Sequence, residues 1–189
     1  MLSSHNDVEV KVCRNKKTVL IVAAITILLA GAFFFVPAKT VLSISSRKNP
    51  KQRFYSVEGA EHGFCISYTH SVNKGRVHDY YRRSPDNKLI LDRTIFVSYG
   101  AGIPEPEETK GAVFKVLPNG YEISGLNRTV PQLVMAVGLI AEHSIAFLDD
   151  EDSLNLTEHF LKDYFAPQTS IILKIERVSL FEYIKTKKI

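Results

Sequence analysis

Twenty-one consecutive residues without a charge, Thr18 to Ala38 (TVLIVAAITILLAGAFFFVPA), limit what this chain can fold into more than any other feature. As an α-helix the run is about 31 Å long at roughly 1.5 Å per residue, enough to cross the hydrocarbon core of a bilayer. It is too long for the apolar region of a typical signal peptide, and Phe33-Phe34-Phe35 crowds the position where cleavage would fall. Val36-Pro37-Ala38 loosely matches a small-residue cleavage pattern, but a retained single-pass anchor is the expectation. Lys11, Arg14, Lys16 and Lys17 cluster before the run, whereas Lys39, Arg47, Lys48, Lys51 and Arg53 are spread out after it. The tighter group favours a cytoplasmic N-terminus and an extracytoplasmic C-terminal domain. The chain then divides into a short cytoplasmic tail (1–17), a transmembrane anchor (18–38) and an extracytoplasmic β-rich domain (39–189), held at the cell (inner) membrane through its contact with the lipid bilayer.

Charge narrows the partners. The formal net charge is +4 over 189 residues. The first 36 residues carry four Lys/Arg against two Asp/Glu, and the remainder twenty against eighteen. A net +2 on the domain is no electrostatic footprint for nucleic acid. Cys13 and Cys65 are the two cysteines. With a span between them they lie on opposite sides of a membrane and cannot pair. Cys65 alternates against Phe64 and Ile66, which suits a small residue facing a second packing layer. No metal-binding cysteine spacing occurs, and no cofactor is implied.

Beyond the span the chain reads as short strands separated by turns. Thr40–Ser45 alternates, Phe54–Val57 follows, and residues 63–83 form a hairpin. Leu89–Tyr99 is the longest regular strand expected, rich in Ile, Leu, Val and Phe. Ala112–Val116 and Tyr121–Ser124 flank the turn Pro118-Asn119-Gly120. Leu133–Phe147 is read as strand, Leu156–Phe165 as a short helix, and Ser170–Val178 as a strand alternating Ile171, Leu173 and Ile175 with Ile172, Lys174 and Glu176. The tail from Phe181 reads as a frayed end or an edge strand. This spacing predicts a mainly β fold, an antiparallel β-sandwich or barrel with one short helix.

The hairpin gathers the most chemistry. Phe64, Ile66, Tyr68 and His70 share one face of its first strand by period two, and Val77, Asp79 and Tyr81 share a face of the second. Asn73-Lys74-Gly75 supplies the turn, with Gly75 suited to a positive φ. A three-residue loop sets His70 opposite His78 and Tyr68 opposite Tyr80. Adding Val72 to the loop sets His70 opposite Val77 and Tyr68 opposite Asp79. Either way histidines, a carboxylate, a serine and tyrosines meet near one end. Gly100-Ala101-Gly102 permits a sharp turn whose uncovered N–H groups suit an anion, and Pro104-Glu-Pro-Glu-Glu-Thr-Lys110 is an acidic loop.

Tyr68-Thr-His70-Ser71-Val72, then Val77-His78-Asp79-Tyr80, then Gly100-Ala101-Gly102-Ile103-Pro104 resemble the family known as domain of unknown function 1850. The likeness of order, spacing and residue type runs through most of residues 40–180. Asp79 stands where the family pattern leads one to expect Glu. The family's members are often encoded beside the fused membrane subunits of TAXI-type TRAP transporters, which import organic anions. The resemblance therefore implies a transport neighbourhood rather than a reaction.

Three classes of function follow. The first is an accessory or ligand-binding component of such a transport system, with Tyr68, His70, Ser71, Asp79, Gly100, Ala101, Gly102 and Pro104 lining a pocket or docking edge. Its partners would be the membrane subunit of a TRAP-type transporter and a small carboxylate ligand. The second is a periplasmic hydrolase using His70, Asp79 and Ser71, although no Gly-x-Ser-x-Gly elbow is present. The third is a metal site from His70, His78, Asp79 and His143. His78 and Asp79 are strand neighbours, so they point to opposite faces unless a bulge intervenes.

Overall fold

The computed structural model describes residues 16–72, 74–98, 109–149 and 157–189. It begins with one long helix, α1 (Lys16–Phe35), none of whose side chains is buried. At 20 residues it is about 30 Å long, long and apolar enough to cross a membrane. Only Val36 separates it from β1 (Pro37–Ser46).

The rest is mainly β, in two sheets. β1 is central in the smaller sheet. It pairs with β2 (Arg53–Ser56) on one side and with β11 (Ser170–Ser179) on the other. β8 (Leu133–Ala136) lies beyond β11, and β12 (Lys187–Lys188) runs parallel to β2 at the opposite edge. The larger sheet has the order β10 (His159–Phe160), β9 (Ser144–Phe147), β3 (Phe64–Thr69), β4 (Arg76–Arg83), β5 (Leu89–Phe96), β7 (Gly120–Val130) and β6 (Val113–Leu117). All its pairings are antiparallel.

Alternation decides what lies between the sheets. Leu42 and Ile44 of β1 and Ile171, Leu173 and Ile175 of β11 meet Phe64, Ile66, Val77, Leu91, Phe96, Ile123 and Ile145 of the larger sheet in one core. The outer faces carry smaller clusters: Val41, Tyr55 and Val178 on one sheet, Cys65, Tyr80 and Leu148 on the other. Cys65 thus faces its second packing layer, and burial pushes its thiol up to about 12.

Two expectations at the C-terminal end change. Among the described residues of 156–165 there is no α-helix but β10 followed by a single 3-10 turn at Leu161–Asp163. Leu161 and Phe165 are both buried, so the apolar spacing is real. Phe160 stays extended to pair with Ser144, and Pro167 lies just beyond. The tail from Phe181 is instead a helix, α3 (Leu180–Lys185), before the two-residue edge strand β12. The Ser179 side chain caps it by accepting the Glu182 N–H at 3.1 Å, as Ser-x-x-Glu sequences favour. A further one-turn helix, α2 (Glu58–Glu61), leads into Gly63 and β3. The Pro118-Asn119 turn joins β6 to β7 as expected, with Leu117 opposite Gly120.

Candidate functional site

The β3–β4 register is neither of the two expected. Tyr68 lies opposite Val77, Ser67 opposite His78 and Ile66 opposite Asp79. The strands therefore separate earlier, leaving residues 70–75 as the loop. The His70 N–H donates to the Gly75 carbonyl at 2.8 Å, and the Lys74 N–H to the His70 carbonyl at 3.1 Å. Lys74, at φ 59°, rather than Gly75, takes the left-handed conformation. The two-residue displacement from the four-residue-loop alternative preserves parity, so Tyr68 and Asp79 still share a face.

That face is the interior one. Across the sheet the row reads Ile145, Ile66, Asp79, Thr94, Ile123. A carboxyl and a hydroxyl thus sit in the middle of an otherwise apolar row. They satisfy each other, Thr94 Oγ1 donating to Asp79 Oδ1 at 2.7 Å, while the Tyr68 hydroxyl forms a second side-chain hydrogen bond to Asp79. Loss of water outweighs both bonds and raises the Asp79 carboxyl to about 6. Burial together with the neighbouring Asp79 charge pushes the Tyr68 hydroxyl well above its ordinary value. Asp79 is nonetheless not sealed, being only partly shielded from solvent.

The remaining expected residues divide. His70 is buried at the root of the loop, and its Nδ1 accepts the Val72 N–H at 3.3 Å. Ser71 is exposed, and its carbonyl accepts a bond from Lys74 Nζ at 2.7 Å. Buried imidazole and exposed hydroxyl do not form a Ser–His pair. Gly100, Ala101, Gly102 and Pro104 lie outside the described residues. The strand leading to them, β5, ends at Phe96 opposite Val77, at the same end of the sheet as the hairpin loop.

The outer face carries a polar row that the sequence reading missed: Ser144, Ser67 and His78, opposite one another on three strands. Ser67 Oγ and His78 Nδ1 are 2.8 Å apart, with Cys65 Sγ 3.6 Å behind the serine. The Arg76 guanidinium bonds Ser144 Oγ at 2.7 Å, Glu158 at 2.9 Å and the Glu142 carbonyl at 2.9 Å. Desolvation and the Arg76 charge lower the His78 pKa, against the opposing pull of Glu158. Here is a serine–histidine pair, but Ser67 is only 2% exposed. No reacting carbonyl reaches it in this arrangement. Only the correct loop length would have disclosed the pair from sequence.

His143 stands apart from both rows. Its Nδ1 accepts the Gly138 N–H at 3.0 Å, and its ring lies 5.8 Å from that of Tyr68. Among the described residues no three His, Cys, Asp or Glu side chains converge as metal ligands, and His78 and Asp79 point to opposite faces of the sheet.

No curated protein and no solved structure matches the chain. The stretch that does match a known family, residues 64–154, begins with the first residue of β3 and is narrower than the likeness over 40–180. It is similar to the family described as Domain of unknown function (DUF1850).

Proposed function

We propose that the chain is a membrane-anchored extracytoplasmic accessory domain of a TRAP-type organic-anion transport system. Its working surface is the loop end of the β3–β4 hairpin. In this reading α1 spans the cell membrane with its N-terminus in the cytoplasm, and the β domain stands outside. The observation that carries the reading is the Asp79–Thr94–Tyr68 cluster: a carboxyl with a raised pKa, held by two hydroxyls and still partly open to solvent. Acids with perturbed pKa values cluster at functional sites.

Neutral Asp79, the His70 side of the loop and the segment from Gly100 to Pro104 together suit a small carboxylate. Protonation removes the Asp79 charge that would repel it. Val72, 73% exposed at the tip of the loop, gives the same end an apolar contact for a membrane partner. The test is uptake of organic anions by cells carrying the full-length chain and its neighbouring transporter. Asp79→Ala and His70→Ala are expected to fold and reach the membrane at wild-type levels but to lose the effect on uptake. Unchanged uptake in both variants, at equal protein levels, would overturn the site.

A further inference from the structure

The short helix α3 has two unlike faces. At 100° per residue, Leu180, Phe181 and Ile184 fall within an arc of about 100°, while Glu182 and Tyr183 lie on the other side. The inner side is fully engaged. Glu182 Oε1 accepts bonds from Arg53 at 2.9 Å and from the Tyr55 hydroxyl at 2.8 Å, and Tyr183 packs on Val41, Tyr55 and Val178. The outer side is open to solvent in part: Leu180 is 38%, Phe181 37% and Ile184 62% exposed.

The position of α3 relative to α1 gives that outer face its meaning. The Phe181 ring lies 6.2 Å from Phe34 and 5.0 Å from Phe35, the last two residues of α1. Pro37, two residues past α1, pairs with Ser179, the residue that caps α3. One intervening residue leaves no linker on which the domain could stand off from the span. The end of α1 and the start of α3 therefore share one level. Cations gather there as well. Lys185 lies 4.6 Å over the Phe181 ring, and Lys39 6.0 Å from that of Tyr183. A groove of about 990 Å³ beside α3 is lined by Lys51, Arg53, Lys185 and Lys187 against the one carboxylate of Glu182.

We infer that α3 is a second membrane contact. Its Leu180–Phe181–Ile184 face sits in the interfacial layer of the bilayer that α1 crosses, and the basic rim meets anionic phospholipid headgroups. A surface that is apolar on one side and cationic beside it matches that layer. The inference rests on α1 being a span. It gives the domain a fixed orientation on the membrane instead of a swivel about a single tether.

The chain has no tryptophan, which makes a depth measurement direct. Full-length Leu28→Trp, Ile184→Trp and Val116→Trp are reconstituted into vesicles of phosphatidylcholine and phosphatidylglycerol carrying brominated acyl chains. All three positions are exposed, so the fold tolerates them. Leu28→Trp is expected to be quenched by deep bromines. Ile184→Trp should be quenched by shallow bromines and emit at shorter wavelength than Val116→Trp. A Leu28→Trp quenched deeply beside an Ile184→Trp that behaves like Val116→Trp overturns the α3 contact alone. An unquenched Leu28→Trp removes the span, and the inference with it. In phosphatidylcholine alone the Ile184→Trp quenching should fall; equal quenching in both lipids overturns the role of the lysines.

Discussion

At the scale of the residue, Asp79 is the side chain whose behaviour is easiest to predict against the grain of ordinary carboxylates. Its pKa is raised by burial from 3.8 to about 6, so the folded state holds a proton that the unfolded state has released across that window. Stability then falls as pH rises from about 4 to about 6 and is level above it, the reverse of a salt-bridged aspartate. The ionised form costs of the order of 3 kcal/mol. Asp79→Asn should stabilise the chain at pH 7.5 by about 1–3 kcal/mol and flatten this part of the pH profile, read by denaturant unfolding at several pH values. An Asp79→Asn variant no more stable than wild type at pH 7.5 would contradict the assignment of burial as the cause. His78 and His143 act with the opposite sign: their lowered pKa values mean stability lost as pH falls below about 6.5. Each histidine replaced by Gln should therefore blunt acid unfolding. For the carboxylate ligand, affinity is expected to increase as pH drops through about 6, as titration calorimetry would show.

The pairing of Tyr68 with Asp79 on one face was legible in only one of the two registers read from the sequence, the four-residue loop; the three-residue loop, one residue away, puts them on opposite faces. The Ser67–His78 bond was legible in neither. It required knowing that the loop opens at His70, and that opening is set by backbone bonds from His70 to Lys74 and Gly75, which no residue type announces.

At the scale of the element, the β3 strand depends on the glycine before it. Gly63 has φ +100°, and a Cβ there would lie 2.5 Å from the Tyr81 carbonyl oxygen. That oxygen belongs to a backbone that cannot swing aside. Gly63→Ala should cost roughly 1–3 kcal/mol from the strained conformation alone, with the close contact adding to it. It should shift β3 against β4, seen as a lowered unfolding midpoint and a changed ring environment for the stacked Phe64–Tyr81 pair, whose centroids are 5.2 Å apart. A midpoint unchanged by Gly63→Ala would mean that β3 can start elsewhere. Strands were legible where alternation was long, as in β11. Short pieces were not: Leu161 and Phe165 look helical, yet only one turn forms between a strand and a proline. The α3 signal, Ser179 followed by Glu182, was present in the sequence but obscured by the run of Lys and Ile that follows it.

At the scale of the whole molecule, the two sheets close one core and leave two ends with different tasks. One end carries α1 and α3, and is the end proposed to face the bilayer. The hairpin loop, with exposed Val72 and buried His70, is the surface assigned to a partner. The two-layer β architecture was readable from strand spacing; the order of the strands was not, because β8 and β9 are neighbours in sequence yet belong to different sheets. The claim that joins fold to function is that the loop end docks on a transport subunit. Full-length protein captured by affinity from detergent-solubilised membranes, with mass spectrometry of what accompanies it, tests that claim most directly. A multi-span transport subunit should accompany the wild type and be lost with Val72→Asp, a change at an exposed residue that leaves the core untouched. Recovery of the chain alone, or equal recovery of the subunit with both proteins, would contradict it.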